Sequence, residues 1–389
     1  MRSTIFAVSA SLAALSAVFP TPEVAGIFAA NVPGTFKGTA VVVRPLPDAA
    51  GIQPEAVNGA DGQMHVVYFK GEASGGDLYY VRGGSPPVRV NSIAESALAT
   101  GSIRGAQLAL GRDGRIHVAW HGSKPLTSGT SDPPMWYARS TPDGLRFEPQ
   151  RAVSGPATGL DGGTVAADRS GHVVVAWHAA GDGRGEGGRT VYLARSSNDG
   201  ATFSPEAPAT SAPLGACGCC GMRALFDHSG TLHVLYRAAT GGTHRDTTWL
   251  RIDGAIARPP VRVHPWQLQA CPMTTYALVE TPEGLAAAWE TAGQIYSATL
   301  ISSTGAVSQL AAIPGTGSRK HPSIAVNAAG DRLVAWTEGT AWKRGGTVAW
   351  RLTDRRGVQL ANAPNAGPVP VWGLVSAVAM PDGSFVIIR

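Results

Sequence analysis

The sequence predicts an all-β chain folded as a β-propeller of seven blades, and three observations predict it. Glycine and proline are abundant, at 49 and 28 of 389 residues, while 15% of residues are charged; many short strands joined by tight turns suit that composition better than helices do. One motif, a turn ending in Gly and then a β-rich run that usually closes on an aromatic residue, recurs along the chain: 61-DGQMHVVYF-69, 113-DGRIHVAWH-121, 170-SGHVVVAWH-178, 229-SGTLHVLYR-237, 283-EGLAAAWE-290, 329-AGDRLVAWTE-338 and 382-DGSFVIIR-389. Its aromatic ends, Tyr68, Trp120, Trp177, Tyr236, Trp289 and Trp336, are about 47 to 59 residues apart, which is blade spacing.

The elements of a blade follow in order. An apolar segment precedes each turn, as in 106-AQLAL-110, 164-TVAA-167 and 323-SIAV-326. A third strand follows the aromatic, as in 136-WYARS-140, 191-VYLARS-196 and 347-TVAWRL-352, and a fourth comes after it, as in 88-VRV-90 and 261-VRV-263. These are antiparallel strands A to D. One such sheet cannot bury both faces; sheets stacked around an axis can, and closure protects their edges. Six full units run from about residue 48 to 368. The C-terminus then supplies only an A and a B strand, 374-LVSAVAM-380 and 384-SFVIIR-389, while 37-KGTAVVVRPL-46 stands where an outer strand belongs. The two termini together therefore complete a seventh blade; a six-bladed ring with spare terminal strands is the alternative.

The net charge of +5 comes without a Lys/Arg run, so no nucleic-acid footprint is expected. The start, MRSTIFAVSASLAALSAVF, has Arg2 ahead of a short apolar stretch from Ile5 to Val18. That is the pattern of a secretory signal peptide, too short to span a membrane well. Residues 1–30 read as signal peptide and leader, and 31–389 as one propeller domain. The expectation is an exported monomer, periplasmic or extracellular, with no membrane span, in a compartment that permits disulfides.

Two stretches carry a family resemblance. After the third strand of one unit comes 196-SSNDGATF-203, and one unit earlier 140-STPDGLRF-147. They resemble the Asp-box of the sialidase superfamily, Ser-x-Asp-x-Gly-x-Thr-Trp/Phe. Ser196, Gly200, Thr202 and Phe203 match, with Asn198 in place of Asp; the earlier copy keeps Ser140, Gly144 and Phe147. The resemblance implies a sialidase-like propeller, with the box as a C–D hairpin away from the ligand face. It also implies what a hydrolase of that family needs: a Phe/Tyr-Arg-Ile-Pro motif, an arginine triad, a Tyr–Glu nucleophile pair and an Asp acid/base. The first motif is missing, since 43-VRP-45 only places an Arg beside a Pro, and a fold does not carry an activity with it.

In a propeller of this register the A–B turns share one face with the C–D turns. The D–A crossings and B–C loops share the other, where the channel mouth lies. The crossings carry Gln53, Glu55, Arg104, Gln107, Asp161, Arg223, Arg319, His321 and Trp372, and the B–C loops begin with His121, His178, Arg237, Glu290 and Glu338. All four cysteines fall on two neighbouring crossings, 217-CGCCGM-222 and 271-CPM-273. Disulfides are one reading, with Cys271 bridged to Cys217 or to one of the adjacent pair. A soft metal site for Cu or Zn is another, from Cys217, Cys219, Cys220, Met222, Cys271 and Met273. Thiol redox chemistry is the third.

The remaining candidates each have two readings. Arg104, Arg223, Arg237 and Arg319 either bind a carboxylate or sulfated sugar, or pair with Asp161, Glu290 or Glu338. His121 and His178 either touch a ligand or serve the blade repeat. His321 can add an imidazole to the metal set. Trp372 either stacks on a sugar or packs. Glu290 and Glu338 form a possible catalytic carboxylate pair, with Arg104 and Arg319 as companions. The loop 181-GDGRGEGG-188 lacks the strand-to-helix context of a phosphate site. Two functions are therefore expected in competition: a non-hydrolytic propeller that binds a soft metal ion or small ligand at its mouth, or a diverged sialidase-type glycoside hydrolase acting on a glycan.

Overall fold

Each repeated Gly turn is a hairpin, and the run after it is the most deeply buried strand of its sheet. In the second blade Ile116–His121 is buried at every position, and the closing aromatics Tyr68, Trp120, Trp177, Tyr236, Trp289 and Trp336 are at most 4% exposed. Removing a side chain of that size from water is worth roughly 1.5–3 kcal/mol, so the motif recurs because each blade must anchor its own core. The turns need glycine where φ is positive, as at Gly62 (φ 76°) and Gly230 (φ 81°).

The computed structural model, which describes residues 39–101, 103–126, 132–155, 159–181, 185–212 and 214–389, is a seven-bladed β-propeller. Blade 1 holds Gly51–Asn58, Met64–Glu72, Gly75–Arg82 and Val88–Arg89, hydrogen-bonded in that order. Blades 2 to 6 repeat the pattern, and their inner strands are Gln107–Leu110, Asp161–Ala167, Arg223–Phe226, Tyr276–Thr281 and Arg319–Val326. Among the described residues no helix is long and apolar enough to cross a membrane. The expected signal peptide and Asp182 lie outside the described residues.

The seventh blade joins both termini. Ser376–Ala379 is its inner strand, Phe385–Ile388 pairs with it antiparallel, and Val41–Arg44 pairs with Phe385–Ile388 in parallel. Parallel pairing departs from the all-antiparallel pattern of the other blades, and topology explains it. The N-terminal strand sits where a C strand would, but it must run as a D strand to deliver the chain to the mouth and into blade 1. The seam is tied by Leu46 N–H to Arg389 O at 3.0 Å, Arg389 N–H to Arg44 O at 3.0 Å and Phe385 N–H to Ala40 O at 2.8 Å.

The two degenerate turns act between blades. Ser196 Oγ accepts the Gly200 N–H at 3.0 Å, and Asn198 accepts the Thr202 N–H at 2.9 Å while donating to Thr202 Oγ1 at 2.8 Å. Phe203 then packs edge-on against Tyr137 of the preceding blade, with ring centroids 4.7 Å apart. Phe147 meets Tyr80 in the same way at 5.6 Å. Asn thus does the work of Asp at position 198, because the turn needs an acceptor for backbone N–H groups rather than a charge.

Candidate functional site

The inner strands enclose a cavity of about 410 Å³ on the propeller axis. One register position per blade determines its character. Glu55, Gln107, Thr164, Arg223, Ala277, Ser323 and Ser376 each sit opposite the residue that precedes the B-strand aromatic or its blade-7 equivalent. The hydroxyls among them stitch neighbouring blades: Thr164 Oγ1 accepts from Ala224 N–H (3.1 Å), Ser323 Oγ from Ala377 N–H (2.8 Å) and Ser376 Oγ from Ala56 N–H (2.9 Å). Arg223 reaches across the axis instead, donating to Gln107 Oε1 at 2.6 Å and pairing with Glu55. Arg223 is therefore committed to the channel wall, where it links blades 4, 1 and 2.

The cysteines of 217-CGCCGM-222 fold into a tight loop at the mouth. Cys217, Cys219 and Cys220 place their sulfurs within 4.8 Å of one another, with Cys217 Sγ and Cys219 Sγ 3.3 Å apart. Cys217 and Cys220 are buried, at 1% exposure each. The loop is held from every side. Cys217 N–H donates to Arg237 O at 2.9 Å, and Gly221 N–H to Thr274 O at 3.0 Å. His178 Nε2–H donates to Cys220 O at 2.9 Å while its Nδ1 accepts from Arg189 at 2.9 Å. Glu186 accepts Gly218 N–H at 3.3 Å and pairs with Arg245 at 2.6 Å.

This scaffold fixes how the trio ionises. Burial opposes charge on Cys220, but hydrogen bonds from the Cys217 and Cys219 thiols, the nearby positive charge of Arg237 and the hydrogen bond from the Thr274 backbone N–H overcome it, so this thiol lies well below the ordinary range. Cys219 is driven the other way by its hydrogen bonds to Cys217 and Cys220 and by burial. At Cys217 the hydrogen bond from Cys219 favours ionisation, yet the bond to Cys220 and burial together outweigh it and the thiol moves up. The trio carries one negative charge readily and a second with difficulty.

The disulfide expectation is corrected here. All four cysteines are free thiols, and Cys271 is exposed and stands outside the trio. Cys271 lies in the crossing between Val261–His264 and Tyr276–Thr281. Met222 also leaves the expected metal set: it packs with Ala166, Val174, Leu232 and Tyr236 in the apolar layer between blades 3 and 4. Met273 lies at a different notch, described below.

The polar candidates at the ends of the B strands are blade clamps. His121 faces Gly122 O at 2.9 Å and Leu160 O at 3.0 Å, reaching the start of blade 3. His178 does the same to blade 4, as above, and burial holds it below the ordinary imidazole value. Arg237, 1% exposed, donates to Arg245 O at 2.9 Å and to Glu290 O, and lies over the Trp266 and Tyr276 rings at 5.0 and 5.4 Å. Arg104 pairs with Asp161 at 2.7 Å. Arg319 pairs with Glu338 at 2.8 Å beneath Trp336. Glu290 is 2% exposed, and burial raises its carboxyl toward the neutral form. A carboxylate pair acting on a glycan needs two accessible groups; Glu290 is sealed and Glu338 also receives Trp336 Nε1–H at 3.1 Å.

A second feature of the mouth escaped the sequence reading. Gly101, Met273, Lys320, His321, Thr340, Trp342, Arg344 and Trp372 surround a notch of about 40 Å³. Trp342 and Trp372 meet at 80° with centroids 4.7 Å apart. The signal was present in 339-GTAWKRG-345, a Trp with two cations in a Gly-bounded loop outside the repeat. Arg189 was also missed, having no pattern to mark it, and the 181-GDGRGEGG-188 loop that carries Glu186 gave no sign of its clamping role.

No protein-family model and no curated protein matches the sequence. Solved structures do match in shape. NanB in complex with Optactamide aligns at TM-score 0.52 and 9% identity, over 79% of this chain and 68% of that one. An α-L-arabinanase of Penicillium chrysogenum aligns at 0.50 and 14%, over 82% and 99%. The Hadza microbial sialidase Hz136 aligns at 0.46 and 15%, over 88% and 66%. NanB and the arabinanase thus resemble this seven-bladed chain in shape. At these identities the likeness is one of fold.

Proposed function

We propose that this chain is a non-hydrolytic, exported propeller that holds one Cu(I) ion on Cys217, Cys219 and Cys220. The observation that carries this reading is the trio itself: three sulfurs within 4.8 Å of one another, on a loop pinned by blades 3, 4 and 5. Thiolate donors suit soft ions. Zinc at a structural site takes four ligands, and no His, Asp or Glu joins the trio among the described residues. A three-sulfur set without a hard fourth donor therefore favours Cu(I). Cys220 supplies the first thiolate, and Arg237 and Arg189 offset the charge of an all-thiolate site. His178 and Glu186 keep the loop in shape. The N-terminal signal pattern, with Arg2 ahead of the apolar stretch from Ile5 to Val18, supports the exported part of this reading.

The test is anaerobic titration of the reduced full-length protein with Cu(I) against a chromophoric chelator. One ion per chain is expected, with X-ray absorption showing sulfur neighbours only. Affinity should rise with pH, because Cys217 and Cys219 start protonated and must release protons to bind; two released protons change the constant by about a hundredfold per pH unit. Each of Cys217→Ser, Cys219→Ser and Cys220→Ser should weaken binding by at least tenfold, while Cys271→Ser and Met222→Leu should not. Less than a tenth of an ion per chain, or equal affinity in Cys220→Ser, refutes the assignment.

A further inference from the structure

The Trp342–Trp372 notch lies apart from the cysteine trio and carries its own signs of a ligand. Trp342 is 56% exposed, one of the largest apolar side chains left on the surface. It is not exposed through slackness. Its loop is closed by paired Ala341 and Arg344 backbone bonds at 3.2 and 3.0 Å, by Gly339 N–H to Ser318 O at 2.8 Å and by Arg344 Nε–H to Gly339 O at 2.9 Å. Trp372 stands at φ 63°, held there by Gln53 Nε2–H on its carbonyl at 2.9 Å. Met273 (φ 50°), His321 (φ 52°) and Lys343 (φ 53°) are left-handed too. Left-handed backbone at non-glycine residues persists only where the surroundings enforce it, and it clusters at ligand sites.

The polar groups are unspent. Lys320 donates to Pro272 O at 2.6 Å, which leaves two of its three donors. Neither Lys320 nor Arg344 has a carboxylate partner among the described residues. His321 is 5% exposed, lines the notch, and its Nδ1 has no hydrogen-bond partner. A buried ring nitrogen left unpaired costs stability unless something occupies the site. The volume limits the choice. About 40 Å³ accepts a single substituent or two or three waters, not a sugar ring. The ring must lie outside, against the open face of Trp342, with one charged group pointing in.

We propose that this notch binds an acidic saccharide, stacking the sugar on Trp342 and directing its anionic substituent between Lys320 and Arg344, with His321 lining the notch beneath it. A uronic carboxylate and a sugar sulfate present the same chemistry here, and the arms of the test separate them. The site does not depend on the trio.

The experiment is tryptophan fluorescence and calorimetry on the full chain with trigalacturonate, a sulfated trisaccharide and the neutral maltotriose. One or both acidic probes should bind and shift the tryptophan emission, and maltotriose should bind at least tenfold more weakly. Trp342→Ala, on a surface side chain, should weaken binding by tenfold or more. Lys320→Gln with Arg344→Gln should abolish the preference for the acidic probe and its sensitivity to salt. Replacing all three trio cysteines by serine should leave binding unchanged, so that this proposal and the copper reading fail separately. Equal binding of maltotriose, unchanged affinity in Trp342→Ala, or no binding of either acidic probe at millimolar concentration overturns it.

Discussion

Acid should unlock this propeller through His321. Its side chain is sealed between the channel and the notch, and burial, with Lys320 nearby, lowers its pKa from 6.5 to about 3. The sign follows from which state binds the proton first. As pH falls through 6.5 the unfolded chain protonates while the folded one does not, so stability present above that value is lost progressively toward pH 3. The gap is worth about 5 kcal/mol in full, at about 1.4 kcal/mol per tenfold, and about 3 kcal/mol of it is gone by pH 4. The assay is urea unfolding at pH 7 and pH 4, on wild type and His321→Asn. Asn tolerates the left-handed backbone at this position and does not titrate. The variant starts from a lower baseline, but its loss between the two pH values should be smaller than that of wild type by about 3 kcal/mol. Equal losses would show that His321 is protonated in the folded protein and that the reasoning from burial is wrong.

Two further outcomes follow from the ring itself. Arg223→Leu should destabilise by about 2–3 kcal/mol, since it leaves half-buried Glu55 without its partner, and adding Glu55→Leu should recover most of that; thermal melts of the single and double variants decide it. Deleting Phe385–Ile388 with Arg389 removes the strand that carries Val41–Arg44, and it should leave the protein unfolded or aggregated by size-exclusion chromatography, whereas removal of Arg389 alone, which takes two seam hydrogen bonds but leaves the strand, should lower the melting temperature without unfolding the protein.

The fold was legible because each blade must solve the same burial problem, so Tyr68, Trp120 and the other B-strand ends print the repeat in the sequence. Terminal closure was legible as a count of strands, but the parallel direction of Val41–Arg44 was not, since pairing direction depends on where the chain must go next. At the site, register placed both cysteine pieces on neighbouring crossings. It did not reveal that Cys271 turns outward or that Met222 turns into a core layer, because side-chain direction within a crossing is set by one or two φ/ψ choices that leave no periodic trace. His121, His178 and Arg237 share one repeat position, and the structure gives them one task, tying each blade to the next. The Trp342 notch assembles residues from five segments far apart in sequence, and no spacing rule connects them.

The parallel seam of the seventh blade has a consequence for how the molecule comes into being. Val41–Arg44 and its partner Phe385–Ile388 lie more than three hundred residues apart along the sequence. Until the two meet, Val41–Arg44 has no place in any sheet, and the apolar faces of the first and sixth blades that pack on the seventh have no neighbour. Closure of the ring therefore requires both distant strands at once. Loss of Phe385–Ile388 removes that strand and the seat of Val41–Arg44 together, and so opens the ring at a single point.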